Sequence, residues 1–344
     1  MKIAILGAGS LGTIIGAMLS KAGLDVCLID TNKAHLEALN KNGARVTGGV
    51  ELTSTVKACS PAEMKGVYDL VIYTVKSTFD DKALPGILPH LDKDSTFLTL
   101  QNGIPEEKVA SFIGRERVLG GAVGWGAIWL SPGVSELTCA PDKMTYDIGE
   151  LDGKITDRIK KVKEVLDKAG TAIITQNLAG IRWTKLMVNA SFSGISAALG
   201  CTYGDILDDA KALTAGMDII LESILTARAA GVKMEPIQGV DPLVLLGIFK
   251  ESEQKLKDVI NLAFGGNRPL KASMLQDLEK NLPCEVDSIN GHLSDVSARV
   301  GVPTPVNDQT TAIIRDIQAG KKKFVFSNLN DIKLPESDLY LKLI

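Results

Sequence analysis

The sequence predicts an α/β protein in two parts, a doubly wound sheet domain over residues 1–178 and an all-helical domain over residues 179–344. Three observations carry this. Met1 to Asp30 reads as a strand, a glycine turn, a helix and a second strand. Apolar runs of strand length then alternate with helical segments to about Gln176. Past Asn177 the texture changes to long helical periods punctuated by glycine and proline.

Lys2-Ile3-Ala4-Ile5-Leu6 is an apolar strand that runs into Gly7-Ala8-Gly9-Ser10-Leu11-Gly12. A small-residue helical pattern follows, then Asp25-Val26-Cys27-Leu28-Ile29, closed by Asp30. In this G-x-G-x-x-G spacing Gly7 permits the tight turn, Gly9 lets backbone N–H groups approach a pyrophosphate, and Gly12 lets the helix pack closely on the strand. Phosphates then sit at the positive end of a helix that begins at Ser10 and Leu11. Asp30 stands where a carboxylate hydrogen-bonds ribose hydroxyls. The spacing alone also suits a plain strand-to-helix turn, and the acid closing the second strand is what favours a Rossmann-type dinucleotide site.

After Asp30 the pattern gives a helix around Lys33 to Asn42, then Arg45-Val46 and a polar-apolar alternation from Val50 to Val56. Buried strands follow at Tyr68 to Val75 and Thr96 to Leu100. Both end in polar residues, which places Lys76-Ser77 and Gln101-Asn102-Gly103 at the carboxyl ends of strands, where open α/β sheets hold ligands. From Val118 to about Gln176 the sequence predicts glycine-interrupted strands, Gly121 to Trp129 and Met144 to Ile148. An amphipathic helix spans Ile155 to Ala169, and the whole reads as an antiparallel extension of the sheet. The second half reads as helices over Ile181 to Leu199, Ala210 to Ala230, Pro242 to Phe264, the Leu275 region, Glu285 to Val300 and Asp308 to Ala319. The short linker near Ala179-Gly180 makes the cleft between the domains the expected active site.

Composition narrows the partner. A formal net charge of -3, with charges interspersed, gives no general attraction to nucleic acid or an anionic membrane, so the expected partner is a small molecule. The apolar runs are too short or interrupted to span a bilayer, and the chain opens on its first core strand with no space for a signal peptide, so the expectation is a cytoplasmic protein. Five widely spaced cysteines suit reduced core thiols, and with the three histidines equally scattered no metal site is visible.

Polar groups in the helical half fall at informative positions. Lys185, Asn189 and Ser193 follow an i, i+4, i+8 spacing and share one helix face, flanked by Trp183, Met187, Val188 and Phe192. A lysine there is either a snorkelling side chain or a functional one. Glu285 sits in a first helical turn, where an acid ordinarily compensates the dipole. Lys76 reads either as a solvated strand-end charge or as a ligand contact, and Asn102 either as a plain Asn-Gly turn or as part of the ligand edge. Trp125 and Trp129 suit core or pocket wall.

Taken in order, Gly7 to Gly12, Lys76, Gln101-Asn102-Gly103, Trp183-Thr184-Lys185 with Asn189, Ser273-Met274-Leu275-Gln276-Asp277, Glu285-Val286-Asp287 with Ile289-Asn290-Gly291, and Gly301 to Asn307 resemble the ketopantoate reductase (2-dehydropantoate 2-reductase) family over nearly the whole chain. The resemblance implies a Rossmann domain and a helical domain that together reduce a 2-oxo acid to a 2-hydroxy acid with NADPH, as in pantothenate biosynthesis. It implies Lys185 as proton donor, Glu285 as ligand of the substrate hydroxyl, and Asn102 near the nicotinamide. Asn189 and Ser273 become substrate contacts, joined by Ser193 on the same face. The cofactor set is then Gly7, Gly9, Ser10, Leu11, Gly12, Asp30, Lys76, Asn102 and Glu285. A positively charged ammonium at Lys185 suits the negative charge that grows on a carbonyl oxygen as hydride reaches its carbon.

Two features depart from the family pattern. Asp30-Thr31-Asn32 stands where NADPH-using members place an arginine, and a carboxylate there repels a 2'-phosphate, so NADH is favoured, with Lys33 softening the effect. Ser193 and Tyr203 replace family asparagines, and Gly124 to Trp129 is bulky and apolar, which points to 2-dehydropantoate or a related branched or larger 2-oxo acid. The alternatives are an opine-type dehydrogenase reducing an imine of a 2-oxo acid and an amine, or a dinucleotide-binding sensor without turnover. The long helices leave room for a homodimer interface.

Overall fold

The structure, a computed structural model, describes every residue of the chain except Ile237 and Gln238. It divides into two compact units, one of Met1–Gln101 with Pro105–Leu178 and one of Asn102–Ile104 with Ala179–Ile344. The three residues of the Asn102 turn thus belong with the helical half.

The first unit contains β1 (Lys2–Leu6), β2 (Asp25–Ile29), β3 (Ala44–Gly48), β4 (Leu52–Ser54), β5 (Lys57–Cys59), β6 (Leu70–Tyr73), β7 (Thr96–Thr99), β8 (Val118–Val123), β9 (Ala127–Ser131), β10 (Val134–Leu137), β11 (Thr145–Glu150) and β12 (Thr171–Ile174). Eight of them form one sheet in the order β5-β2-β1-β6-β7-β8-β11-β12. The first six are parallel and run in the doubly wound order; β11 turns antiparallel to β8, and β12 runs parallel to β11. Residues Ile3 to Leu6, Leu70 to Tyr73 and Thr96 to Thr99 are buried without interruption, as expected of parallel strands covered on both faces. At the β5 edge the Asn40 carboxamide donates to the Ala58 carbonyl (2.8 Å) and accepts from its N–H (3.0 Å).

A second sheet, in the order β4-β3-β10-β9, packs on the Ser10–Lys21 helix from the other side. That helix is therefore enclosed, with Gly12 to Ala17 and Leu19 all buried, which explains its uniformly small and apolar composition. The segment Gly121 to Trp129, expected as one interrupted strand, is divided between the two sheets. A Cβ on Gly124 would fall 2.2 Å from Thr145 Oγ1, and one on Gly126 2.5 Å from Thr138 Oγ1. The glycines let the backbone pass closely from one sheet to the other.

The described part of the second unit is helical. Its first helix, Leu178–Val188, continues through a π-helical turn at Asn189–Ser193 into Gly194–Leu199. Ser191 Oγ donates back to the Met187 carbonyl at 2.7 Å, a side-chain bond that competes with the regular helical ladder at this point. A second π turn, Asp287–Gly291, leads into His292–Val300. The Ala210–Ala229 helix is buried from Ala215 to Ala227 and forms the spine of the core. Within it, Glu222 is completely buried and accepts from the backbone N–H groups of Val306 and Asn307, both at 2.9 Å, and from the Tyr340 hydroxyl at 2.9 Å. One carboxylate thus caps the Pro305–Gln318 helix from another element and ties down Tyr340. Glu222→Ala is expected to leave three buried donors unsatisfied and cost about 3–5 kcal/mol, seen as a lowered thermal unfolding midpoint by calorimetry, with Glu222→Gln losing less.

Candidate active site

The glycine turn has the geometry its sequence requires. Gly7 has φ +100° and its Cβ would lie 2.6 Å from Val75 N, while a Cβ on Gly12 would lie 2.2 Å from the Gly7 carbonyl oxygen. Nothing lies within 4 Å of a Cβ built on Gly9. Two glycines are therefore filled in by the protein and the middle one faces open space, which is the cradle a pyrophosphate needs; Ser10 and Leu11, half-buried, begin the helix behind it. The turn is anchored by Gly7 and Ala8 N–H groups donating to the Ile29 carbonyl at 2.9 and 3.1 Å, and by Thr74 Oγ1 donating to the Gly7 carbonyl at 2.6 Å.

His35, which the sequence did not single out, completes the anchor. Buried at 1 % exposure, it places Nε2 2.6 Å from the Ala8 carbonyl, and its Nδ1 accepts the Gly133 N–H at 2.9 Å. Because a backbone N–H only donates, Nδ1 carries no proton, and Nε2–H is the donor to Ala8. The ring thereby joins the turn to the second sheet. The only local signal is Asn32, whose side chain caps the Lys33–Asn42 helix by accepting the His35 N–H at 3.1 Å and so sets the phase of that helix.

Asp30 is half-buried at the end of β2, with Oδ1 accepting the Asn32 N–H at 2.9 Å and its own N–H donating to the Cys59 carbonyl at 3.3 Å. Lys76 follows β6 in extended backbone, half-buried, and its carbonyl accepts the Phe79 N–H at 2.9 Å. The neighbouring strand ends are pinned by Gln101, whose Nε2 donates to the Val75 carbonyl at 2.8 Å and to Asp80 Oδ1 at 2.7 Å. Tyr73 donates to the same oxygen at 2.8 Å, and Lys108 approaches the other Asp80 oxygen at 3.4 Å.

In the second unit, Asn102 and Glu285 come together although 183 residues apart: Asn102 Nδ2 lies 3.4 Å from Glu285 Oε2, a long hydrogen bond. Gly103 makes this possible, with φ +79° and a Cβ position only 2.4 Å from the Ser288 carbonyl oxygen, so only glycine lets the turn press against the π turn. Lys185 and Asn189 are half-buried on the first helix, whereas Ser193 is buried and hydrogen-bonded to the Tyr203 hydroxyl at 2.8 Å. Burial pushes the Tyr203 phenol up, against the bond from Ser193. Beside this pair Phe192 stacks on Phe264 with centroids 3.9 Å apart. Trp183 meets His292 edge-on at 6.2 Å, and burial, with Arg299, holds that imidazole below its usual range, Asp295 opposing. Ser273 is exposed at the start of the Ser273–Glu279 helix. Trp125 and Trp129 lie in the first unit, Trp125 edge-on to Tyr146 and Trp129 near His35. Among the described residues no cluster of histidine, cysteine and carboxylate side chains is arranged to hold a metal ion, and no helix is long and apolar enough to cross a membrane.

A doubly wound sheet with this glycine cradle, joined to a helical unit carrying a lysine, asparagines and an acid, defines a dinucleotide-binding oxidoreductase. Two family models match in tandem: "Ketopantoate reductase PanE/ApbA" over residues 3–153 and its C-terminal counterpart over residues 177–318. The chain belongs to the ketopantoate reductase family. It is 31% identical over 318 residues to a 2-dehydropantoate 2-reductase of Pyrococcus horikoshii, covering 92% of this chain and 97% of that one. It is 30% identical over 338 residues to another of Mesorhizobium japonicum, with the same coverage. Among solved structures, the ternary complex of D-mandelate dehydrogenase with NADH and anilino(oxo)acetate is similar with a TM-score of 0.79 and 25% identity, covering 93% of this chain and 99% of that one. The 2-dehydropantoate 2-reductase of Geobacter metallireducens reaches the same TM-score with 28% identity, covering 92% and 99%.

The cradle separates two glycine substitutions. Gly9→Ala is expected to keep the thermal midpoint yet lose dinucleotide affinity, because its methyl enters space the protein leaves open. Gly12→Ala is expected to destabilise the first unit by about 1–3 kcal/mol through the clash with Gly7. Calorimetry and a dinucleotide fluorescence titration on both variants check the contrast.

Proposed function

We propose that this protein reduces a 2-oxo acid to the 2-hydroxy acid with NADH, with Lys185 as proton donor. The observation that carries the reading is the Asn102–Glu285 pairing: a turn that follows β7 in the chain and an acid 183 residues further on meet at one place in the helical unit. When bound, the reduced nicotinamide supplies the hydride. The Gly7–Gly12 turn and the helix N-terminus at Ser10 and Leu11 hold the pyrophosphate, and Asp30 accepts from the ribose diol, with Lys76 a further contact at the strand end. Asn102 orients the carboxamide end of the cofactor. Lys185 presents its ammonium to the substrate carbonyl oxygen, stabilises the charge that develops there and then transfers a proton to it. Glu285 accepts a hydrogen bond from a substrate hydroxyl, and Asn189, Ser273 and Ser193 complete the substrate contacts.

Asp30 supports NADH over NADPH, since a carboxylate at the end of β2 opposes a phosphate on the adjacent ribose. The similarity to a D-mandelate dehydrogenase complexed with NADH supports the same choice and argues for aryl as well as branched 2-oxo acids beside 2-dehydropantoate.

Steady-state assays across a panel of 2-oxo acids, run with both cofactors, test this. NADH is expected to exceed NADPH in kcat/KM by at least about tenfold, close to 1.4 kcal/mol, and Asp30→Ala to shrink the ratio; a large NADPH preference would overturn the reading of Asp30. Lys185→Ala is expected to lower kcat by about 10²–10⁴-fold on the best substrate, while a fluorescence titration finds NADH affinity nearly unchanged.

A further inference from the structure

Cys27 in β2 and Cys59 at the end of β5 lie on one side of the sheet with their Sγ atoms 3.4 Å apart, both free thiols and both half-buried. In the parallel register Lys57 stands opposite Cys27 and Cys59 opposite Ile29, so the two cysteines are diagonal neighbours across the terminal strand of the sheet. Burial pushes the thiols of Cys201 and Cys284 up to about 12 and about 11, which makes them poor nucleophiles. Cys27 is different. The hydrogen bond from Cys59, aided by Tyr68 and by the ammonium groups of Lys2 and Lys57, holds its thiol down at about 7, while the same bond pushes Cys59 up. A readily ionised thiol therefore sits 3.4 Å from a second sulfur, and once Cys27 is oxidised the bond to its thiolate that holds the Cys59 proton is lost, which frees Cys59 to resolve it.

The pair also adjoins the ribose end of the cradle. The Cys59 carbonyl accepts the Asp30 N–H at 3.3 Å, and the Ile29 carbonyl accepts the Gly7 and Ala8 N–H groups. A disulfide bond is about 2.05 Å long, so closing the gap draws β5, only three residues long, towards β2 and carries the Asp30 turn with it.

We propose that Cys27 and Cys59 are a modification site for peroxides, forming a reversible disulfide that shifts the Asp30 turn and weakens dinucleotide binding. The effect on binding rests on the dinucleotide reading of Asp30; the disulfide does not. The Cys27 thiolate attacks one peroxide oxygen, the O–O bond breaks, and a sulfenic acid forms as the departing oxygen takes up a proton and leaves as water. The Cys59 thiol then attacks the sulfenic sulfur, the S–O bond breaks and a second water leaves. Two thiols lose two electrons and two protons, and the peroxide is reduced to two waters. A dithiol reverses the bond by exchange.

The test treats the reduced, cofactor-free protein with stoichiometric hydrogen peroxide and maps its peptides without reduction. The expected result is a Cys27–Cys59 crosslink, lost on adding dithiothreitol, and a Kd for NADH raised by about threefold or more in the crosslinked protein. Cys59→Ser should leave a sulfenic acid on Cys27 that dimedone traps, with NADH affinity insensitive to peroxide, and Cys27→Ser should abolish both products. Absence of the crosslink in the wild type, a Cys27 sulfenic acid that Cys59 does not resolve, or a crosslinked protein with unaltered NADH affinity would each overturn the proposal. Failure of the reduced protein to bind either dinucleotide counts against the functional reading, and the crosslink, read without cofactor, still decides the thiol pair.

Discussion

The first unit depends on how closely the Ser10–Lys21 helix approaches β1, and the limit is set at one point, where a Cβ on Gly12 would lie 2.2 Å from the Gly7 carbonyl oxygen. That contact brings the helix N-terminus over the strand ends and aims the open side of Gly9 outward. It also leaves the opposite face of the helix bare, and the second sheet exists to cover it. His35 bridges the glycine turn to Gly133, next to that second sheet.

The second unit rests on two π turns. They meet through Asn290, whose Nδ2 donates to the Ala190 carbonyl at 2.9 Å and to Asn307 Oδ1 at 2.9 Å; Asn307 in turn donates to the Asn290 carbonyl at 3.0 Å and to Ser294 Oγ at 2.9 Å. Glu222, capping the helix that carries Asn307, extends the network to the spine of the unit. Asn290 Oδ1 remains buried without a hydrogen-bond partner among the described residues, a local cost held in place by everything around it. π turns often mark functional positions because the extra residue re-aims side chains. Here one π turn begins at Asn189 and the other follows Glu285 by two residues.

What the sequence disclosed was local. The glycine spacing, the acid after β2, the buried strands and the change to helical periods each arise from interactions within a few residues, so a reading of the chain finds them in order. The Lys33–Asn42 helix even keeps its expected bounds, since Asn32 caps it at one end and Gly43, with φ +78°, ends it at the other. The rest is set by partners far away in the chain. Nothing around His35 reveals that it will meet Gly133, nothing near Asn102 announces Glu285, and the division of Gly121 to Trp129 depends on Thr138 and Thr145 lying against its glycines. The i, i+4, i+8 face of Lys185, Asn189 and Ser193 meets the same boundary: regular helical spacing holds to Val188, after which the π turn takes over and Ser193 ends in a buried pair with Tyr203.

The carboxamide of Asn40 carries a consequence beyond its two hydrogen bonds. Ala58 is the residue of the terminal strand β5 whose N–H and carbonyl it engages, and it supplies what a neighbouring strand would have supplied. A long, unpaired and apolar edge is a template on which other chains add strands and grow fibres. With three residues in the strand and its outward amide already matched, that template is withdrawn at this side of the sheet by one side chain instead of an added element.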